Sequence, residues 1–201
     1  MISGTRARTC IELAATLALA LLAWPALAQA PEWTVDQLMR ALGSRELAQA
    51  QFTETKTMRL LSRPLTLRGT LSFQAPDRLE KRTLDPNEEI LLVDGERLSI
   101  DIPARRIQRS FTLQELPVVW GFVESIRATL RGDRATLERF YRIDLQGEVR
   151  HWVLTLRPID AKMSAVISEI RIGGAGGRVA SIEILETRGD RSVMKIREAQ
   201  P

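Results

Sequence analysis

The sequence contains a single cysteine, Cys10, and a single histidine, His151. Cys10 lies in an N-terminal stretch that we expect to be removed, so no disulfide, thiolate nucleophile or cysteine-based metal site is expected in the remainder. One histidine without a partner makes neither a catalytic triad nor a metal site. His151 lies in a predicted strand, and we expect it to be a polar position that faces outward.

Other signatures of catalysis or cofactor binding are also missing. No G-x-S-x-G nucleophile elbow occurs. The glycine-rich stretch 173–177 lacks the Lys-Ser/Thr of a phosphate-binding loop and favours a hairpin turn. The acidic residues Asp85, Glu88 and Glu89 lie in a turn sequence without calcium-ligand spacing. We therefore expect no catalytic residue, no metal and no cofactor, and we predict that the protein is not an enzyme.

Aromatic residues make up only 5% of the chain, and the formal net charge is +4. The basic residues are scattered along the predicted strands and do not alternate with aromatic residues as stacking platforms would require. Nucleic-acid binding is therefore not expected. A core or cavity in this protein should be mostly aliphatic.

No apolar run is long enough to span a membrane, which needs roughly 20 residues. The N-terminus nevertheless has two early arginines, an apolar segment at Leu13–Leu22 and the small-x-small sequence Ala26-Leu27-Ala28. We predict a signal peptide over residues 1–28, cleaved after Ala28, with Ala30 as the second candidate and an uncleaved anchor as the alternative. Cys10 precedes the apolar segment, so lipid anchoring is not expected. Residues 29–201 would then form one exported domain.

The stretch Pro64–Ile102 has the pattern of a β-meander. Leu65, Leu67, Gly69, Leu71 and Phe73 alternate with polar residues, which predicts a strand with one buried face. Further strands are expected at Arg78–Leu84, Glu88–Val93 and Arg97–Ile102, and Asp94-Gly95 is a favoured hairpin pair.

The rest of the chain predicts a mainly β protein with a few helices. A capping box at Thr34 and Gln37 starts a helix that ends at Leu42. Further strands are expected at 48–59, 107–111, 137–145, 150–157, 166–172, 178–186 and 192–197. About 10 or 11 consecutive antiparallel strands favour one large, curved sheet or a barrel.

Pro117–Leu130 predicts a second, strongly apolar helix. Its large apolar residues recur at helical spacing, while Glu124, Arg127 and Arg131 are expected on its exposed side. Such a helix is usually part of a packed core, but its apolar residues could also line a ligand cavity. Periodicity alone leaves both interpretations open.

The sequence resembles the periplasmic outer-membrane lipoprotein carrier proteins, the LolA-like family. The order of three segments carries the resemblance: Phe52-Thr53-Glu54-Thr55-Lys56, then Gly69-Thr70-Leu71-Ser72-Phe73 followed by Ala75-Pro76, then Val93-Asp94-Gly95. Trp152–Pro158 is compatible in the C-terminal half. The resemblance covers about residues 33–198, and the order and spacing are more specific than any single motif.

The resemblance implies a half-open antiparallel barrel closed by helices that act as a lid. Its cavity would bind the acyl chains of lipoproteins or other lipids, received from an inner-membrane exporter and passed to an outer-membrane acceptor by a monomeric carrier. An alternative from another class is a periplasmic module that senses lipids or lipoproteins without transporting them. The candidate cavity residues are Phe52, Leu67, Leu71, Phe73, Leu79, Leu92, Trp120, Phe122 and Ile126.

One position departs from the family pattern. Lipoprotein carriers have an arginine before the x-Pro turn that hydrogen-bonds into the lid helices, and this chain has Ala75 there. Arg78 lies close by and is the candidate substitute. With this departure, the sequence resembles a divergent branch of the family that is associated with other acylated lipids.

Overall fold

The computed structural model describes residues 33–44 and 47–198. These residues form an 11-stranded antiparallel sheet and several helices. The strands are β1 Leu47–Thr57, β2 Leu65–Gln74, β3 Arg78–Asp85, β4 Glu89–Asp94, β5 Arg97–Ile102, β6 Ile107–Thr112, β7 Tyr141–Glu148, β8 His151–Pro158, β9 Ile167–Ala175, β10 Arg178–Glu186 and β11 Arg191–Glu198. The helices are α1 Val35–Leu42, α2 Pro117–Arg131, α3 Arg134–Phe140 and α4 Ala161–Ser164, with 3-10 turns at Pro103–Arg105 and Leu113–Glu115. The predicted signal peptide, residues 1–28, lies outside the described residues.

The sheet is open and curved, and it confirms the predicted mainly β fold class. Its strand order is β6-β5-β4-β3-β2-β1-β11-β10-β9-β8-β7, so β6 and β7 are its two edges. The pairing of β1 with β11 joins the two ends of the described chain, with Phe52 opposite Ile196. This long-range pair places the C-terminal strands beside the N-terminal meander.

The helix α1 begins as the capping box predicts. The Thr34 side chain accepts from the backbone N–H of Gln37, and the Gln37 side chain accepts from the backbone N–H of Thr34 at 2.9 Å. Leu38, Met39 and Leu42 on the same helix are almost fully buried. They pack in a core cluster with residues of β7–β10, so this short helix is stabilised by its contact with the sheet.

The predicted strand at 137–145 is wrong in its first half. Residues 134–140 form α3, and β7 begins only at Tyr141. Asp133 explains the difference, because its carboxylate accepts hydrogen bonds from the backbone N–H and the hydroxyl of Thr136 at 3.0 and 2.6 Å. This N-cap starts a new helix directly after α2, whose C-cap is Gly132 with a positive φ of 68°.

Two turn predictions also need correction. The loop between β4 and β5 consists of Gly95 and Glu96, since Asp94 pairs with Arg97, and of the loop residues only Gly95 has a positive φ. The glycine-rich stretch is not entirely a turn. Gly173 and Gly174 belong to β9, where the side chain of Trp152 lies so close that a Cβ on Gly174 would be 2.5 Å from the indole.

The connections divide the sheet into two ends. Connections of two to four residues at 75–77, 95–96, 113–116, 149–150 and 176–177 define the turn end. The opposite, loop end carries connections at 58–64, 86–88, 103–106, 159–166 and 187–190. Among the described residues, no helix is long and apolar enough to cross a membrane.

Candidate functional site: an apolar cavity under helix α2

A cavity of about 540 Å³ lies between one face of the sheet and helix α2. This volume falls in the range of small-molecule and cofactor sites, roughly 300–1,000 Å³. The lining is mostly aliphatic. From the sheet it includes Leu71, Phe73, Leu79, Leu91, Val93, Leu98, Ile100, Ile172, Val179, Ile182, Ile184, Met194 and Ile196, and from α2 it includes Val119, Phe122, Val123, Ile126 and Leu130.

Five of the nine predicted cavity residues lie in this lining. They are Leu71, Phe73, Leu79, Phe122 and Ile126. The strand residues share one face because the register pairs Phe73 with Leu79 and Leu79 with Val93. The helix residues share one face because positions three and four apart in an α-helix lie on the same side.

Four predicted cavity residues are placed elsewhere. Leu92 pairs with Glu80 and Ser99, which puts it on the opposite face of the sheet from Leu91, and it is therefore not a cavity residue. Trp120 is 37% exposed and packs edge-on against Phe140, with ring centroids 5.4 Å apart. Neither prediction for these two residues agrees with the structure.

The other two lie on the cavity face without forming part of the lining. Phe52 is buried, and the Nζ atom of Lys81 lies 5.1 Å from the centroid of its ring. Leu67 pairs with Glu54 toward the loop end and is half-buried.

Sequence reasoning missed the whole contribution of the C-terminal strands. Alternation does mark Ile182 and Ile184 as one face of β10, and Met194 and Ile196 as one face of β11. The missing information was the pairing of β1 with β11, which brings these residues opposite the N-terminal meander.

A charged cluster interrupts the apolar lining toward the loop end. Glu54 is 3% exposed, and its carboxylate accepts from Lys81 Nζ at 2.5 Å and from the Ser192 hydroxyl at 2.6 Å. Lys56 Nζ lies 3.6 Å from the same carboxylate. Burial alone would raise the pKa of Glu54, but Lys81, Ser192 and Lys56 together outweigh burial and lower it. Glu54 is therefore a buried, paired carboxylate at the cavity.

Helix α2 is fastened to the turn end by an arginine of its own. Arg127, expected on the exposed side, is instead 4% exposed. Its guanidinium donates to the backbone carbonyls of Asp77 and Gly95, the latter at 2.6 Å, and its Nη1 donates to Glu124 at 3.1 Å. The neighbouring Arg131 donates to the carbonyl of Pro76 at 3.3 Å. We call these contacts of Arg127 and Arg131 the α2 clamp.

The arginines of the α2 clamp, and not Arg78, connect the helix to the sheet in this chain, which has Ala75 before the x-Pro turn. Arg78, the candidate from the sequence, pairs instead with Asp94, with Nη1 2.5 Å from Oδ2 and its side chain 42% exposed. The connection between helix and sheet is therefore made in the opposite sense. The helix supplies the guanidinium, and the turns between β2 and β3 and between β4 and β5 supply the carbonyl acceptors.

Helix α2 also packs against the other helices. A Cβ on Gly121 would lie 1.9 Å from the Cε atom of Met163 in α4, so an alanine here would require the flexible end of that side chain to move. The hydroxyl of Tyr141 donates to the Gly121 carbonyl at 3.3 Å, and burial raises the pKa of that phenol. In the described residues, no group of three or more metal-ligating side chains comes together.

One protein family has a model that matches most of the chain. The family is described as "Outer membrane lipoprotein carrier protein LolA-like", and the match spans residues 26–199. This chain belongs to the LolA-like family. In this member of the family, the fold consists of the open sheet and the helices over one of its faces, with the cavity between them. No curated protein matches the chain.

Several solved structures show distant similarity to this LolA-like chain. A LolA superfamily protein from Nitrosomonas europaea is 11% identical, with 85% of this chain and 95% of that one covered and a TM-score of 0.45. A putative outer membrane lipoprotein-sorting protein domain from Vibrio parahaemolyticus is 10% identical over 83% and 91%, with a TM-score of 0.42. A chain of the Pseudomonas aeruginosa MucA/MucB complex is 17% identical, with a TM-score of 0.46; the match covers 83% of this chain but only 58% of that chain.

Proposed function

We propose that this protein is a periplasmic carrier that binds acyl chains of lipoproteins or other lipids and moves them from the inner to the outer membrane. The observation that carries the proposal is the cavity of about 540 Å³, whose lining is mostly aliphatic. Each acyl CH₂ removed from water gains ~0.8 kcal/mol, so such a lining can hold a chain that would otherwise be exposed.

A carrier must also release its ligand, and the attachment of α2 supports that requirement. Val119, Phe122, Val123 and Ile126 cover the cavity from the helix side. The helix is fastened to the turn end by the polar contacts of the α2 clamp, which water can replace when they separate. Separation of α2 from these turns would expose the cavity, so we assign α2 the role of a lid.

The proposed role consists of binding and release, without a chemical step. A monomer suffices for it, with an inner-membrane exporter as the donor and an outer-membrane protein as the acceptor. Export of the chain by the signal peptide at residues 1–28 would place it in the compartment where this transfer occurs.

Extraction and fluorescence provide the test. The purified protein is extracted and analysed by mass spectrometry for bound lipid, and the lipid-free protein is titrated with a fluorescent fatty acid. Leu91→Trp places a large side chain into the cavity and should weaken probe binding at least tenfold. Leu92→Trp, one residue along the same strand but on the opposite face, is the matched control and should bind as the wild type does.

Two results would contradict the proposal. One is the absence of bound lipid in repeated extractions together with no probe binding by the wild type. The other is an equal loss of probe binding in both tryptophan variants, which would mean that the probe does not occupy the cavity.

A further inference from the structure

Large hydrophobic side chains that are exposed in this protein gather at one end of the sheet. Seven are exposed in the described residues, and five of them lie in or next to the connections of the loop end. These five are Leu60 at 92% exposure, Leu61 at 46%, Leu84 at 54%, Ile159 at 57% and Val166 at 44%. The other two are Trp120 in α2 and Val149 in the turn between β7 and β8. Single exposed aliphatic residues are ordinary, but a concentration at one end needs an explanation.

Hydrogen bonds hold three of these connections side by side. The backbone N–H of Arg59 donates to the Asp190 carboxylate at 2.9 Å, and its guanidinium donates to the Arg188 carbonyl at 3.0 Å. The backbone N–H of Thr187 donates to the carbonyl of Val166 at 2.9 Å. Loop 58–64, turn 187–190 and loop 159–166 therefore form one continuous rim, which we call the loop-end rim.

The connections of the loop end have more basic than acidic residues. Within the part of the chain that the structure describes, three arginines of the rim have no carboxylate within ion-pair distance: Arg59, Arg63 and Arg188. The same holds for Arg105 and Arg106 in the connection 103–106 at this end of the sheet. Two acidic residues of this end are already paired, Asp85 with Arg68 at 2.9 Å and Glu88 with Arg82 at 2.6 Å. The carboxylate of Asp160 caps helix α4, and the carboxylate of Asp190 accepts from the backbone N–H of Arg59. The connections of the opposite end have Asp77, Glu96 and Glu115 but only one arginine, Arg150.

We propose that the loop-end rim docks onto the surface of a bilayer that contains anionic phospholipids. Leu60 and Leu61 would enter the boundary between headgroups and acyl chains, and the unpaired arginines would contact lipid phosphates. The leucines are exposed on a loop tip closed by a hydrogen bond from the Leu61 N–H to the Met58 carbonyl at 3.0 Å. Fluid hydrocarbon accepts such separate projecting side chains without shape complementarity, whereas a protein partner needs a matching surface.

The positive charge of the loop end also favours an anionic bilayer surface. A basic side chain near an anionic bilayer contributes about 1 kcal/mol, which is about fivefold in binding, and this attraction falls with salt. Docking at this end would also place the charged cluster at Glu54, Lys56 and Ser192 toward the membrane, because these residues lie in the loop-end halves of β1 and β11. The loop-end rim lies outside the cavity, so docking there does not depend on what the cavity holds.

The test is co-sedimentation of the full mature chain, freed of bound lipid, with vesicles of phosphatidylcholine alone or with rising fractions of phosphatidylglycerol. We expect binding that grows with the anionic fraction and weakens with salt. Leu60→Ser with Leu61→Ser should reduce binding at least tenfold, because two leucines lose their burial in hydrocarbon. A separate variant, Arg63→Gln with Arg188→Gln, removes two exposed arginines of the rim. It should weaken binding to vesicles that contain phosphatidylglycerol and leave binding to phosphatidylcholine vesicles unchanged.

A control variant is available at the turn end. Val149 is 48% exposed and is followed by the exposed Arg150, so Val149→Ser with Arg150→Gln removes one exposed apolar and one exposed basic side chain from the opposite end. This control should bind vesicles as the wild type does, and all three double variants should keep the wild-type melting temperature. The proposal is overturned if the wild type does not bind anionic vesicles. It is also overturned if the leucine variant and the Val149→Ser with Arg150→Gln control lose binding equally.

Discussion

Replacing Arg127 by leucine tests whether the α2 clamp holds the lid in place. The substitution removes a guanidinium that is 4% exposed and donates to two carbonyls of the turn end. It also leaves Glu124, a half-buried carboxylate, with only Arg131 at 3.7 Å.

The magnitude follows from the hydrogen bonds and the ion pair that the substitution removes. A hydrogen bond from a charged donor contributes about 1.5–3 kcal/mol, and removing one partner of a buried ion pair costs about 3–5 kcal/mol. The Nε atom of Arg127 has no acceptor among the described residues, so the lower half of the range for the ion pair, about 3–4 kcal/mol, is the better estimate. At 1.4 kcal/mol per factor of ten, separation of α2 from the turns should become roughly a hundredfold or more easier.

Hydrogen exchange of the α2 amides measures this separation directly, and the dissociation rate of a bound fatty-acid probe measures its consequence. We expect both to rise in Arg127→Leu while the amides of β8 and β9 keep their protection. Arg127→Lys should be intermediate, because an ammonium retains the charge but not the planar fork. Arg131→Met removes two long contacts of a partly exposed side chain, to the Pro76 carbonyl at 3.3 Å and to Glu124 at 3.7 Å. It is the control and should change exchange only slightly.

Two outcomes would refute this reasoning. Equal acceleration of exchange throughout the sheet would mean that Arg127 stabilises the whole fold and does not fasten the lid. Equal effects of the substitutions at Arg127 and Arg131 would mean that the buried contacts to the two carbonyls carry no special weight.

Three further predictions concern stability. The pKa of Glu54 is lower in the folded protein than its ordinary value of 4.5, so its pairing stabilises the fold above that pH, and the stabilisation is lost as the pH falls below it. The difference in melting temperature between the wild type and Glu54→Gln should therefore shrink on acidification. A difference that stays constant would contradict this assignment. Gly69→Ala should lower the free energy of unfolding by about 1–3 kcal/mol in chemical denaturation, because its Cβ would lie 1.9 Å from a backbone carbonyl of β3. Gly121→Ala should lower it less, because its new contact is the flexible end of a methionine. The reverse order would contradict this reasoning. Asp133→Ala should cost about 1 kcal/mol by removing the N-cap of α3, and an unchanged free energy of unfolding would show that the cap is dispensable.

Patterns of alternation predicted the strands well where one face is polar. The bounds of β5 and β10 match the predicted ranges, and β2 begins and ends where its alternation does. The run Ile90-Leu91-Leu92-Val93 gives no alternation, because both faces of β4 are apolar. The sequence therefore could not decide whether Leu91 or Leu92 faces the cavity, and the incorrect choice of Leu92 follows from that ambiguity.

Helical periodicity had a similar limit in α2. It grouped Phe122 and Ile126 correctly, because they share one face. It did not show that a second helix, α3, begins at Arg134 and presents Phe140 to Trp120. Arg127 was expected in solvent because charged side chains usually are, and only the approach of two turns from distant strands explains its burial.

The sequence by itself determined the local structure: the capping box of α1, the polar and apolar faces of most strands, and the shortage of groups that could do chemistry. It also carried the order of segments that resembles the family. Tertiary structure alone decided where the cavity lies and what closes it. The pairing of β1 with β11 adds the residues of β9 to β11 to the lining, and the contact from Arg127 fastens the helix above the cavity. Both depend on residues far apart in the chain, whose meeting no local pattern encodes.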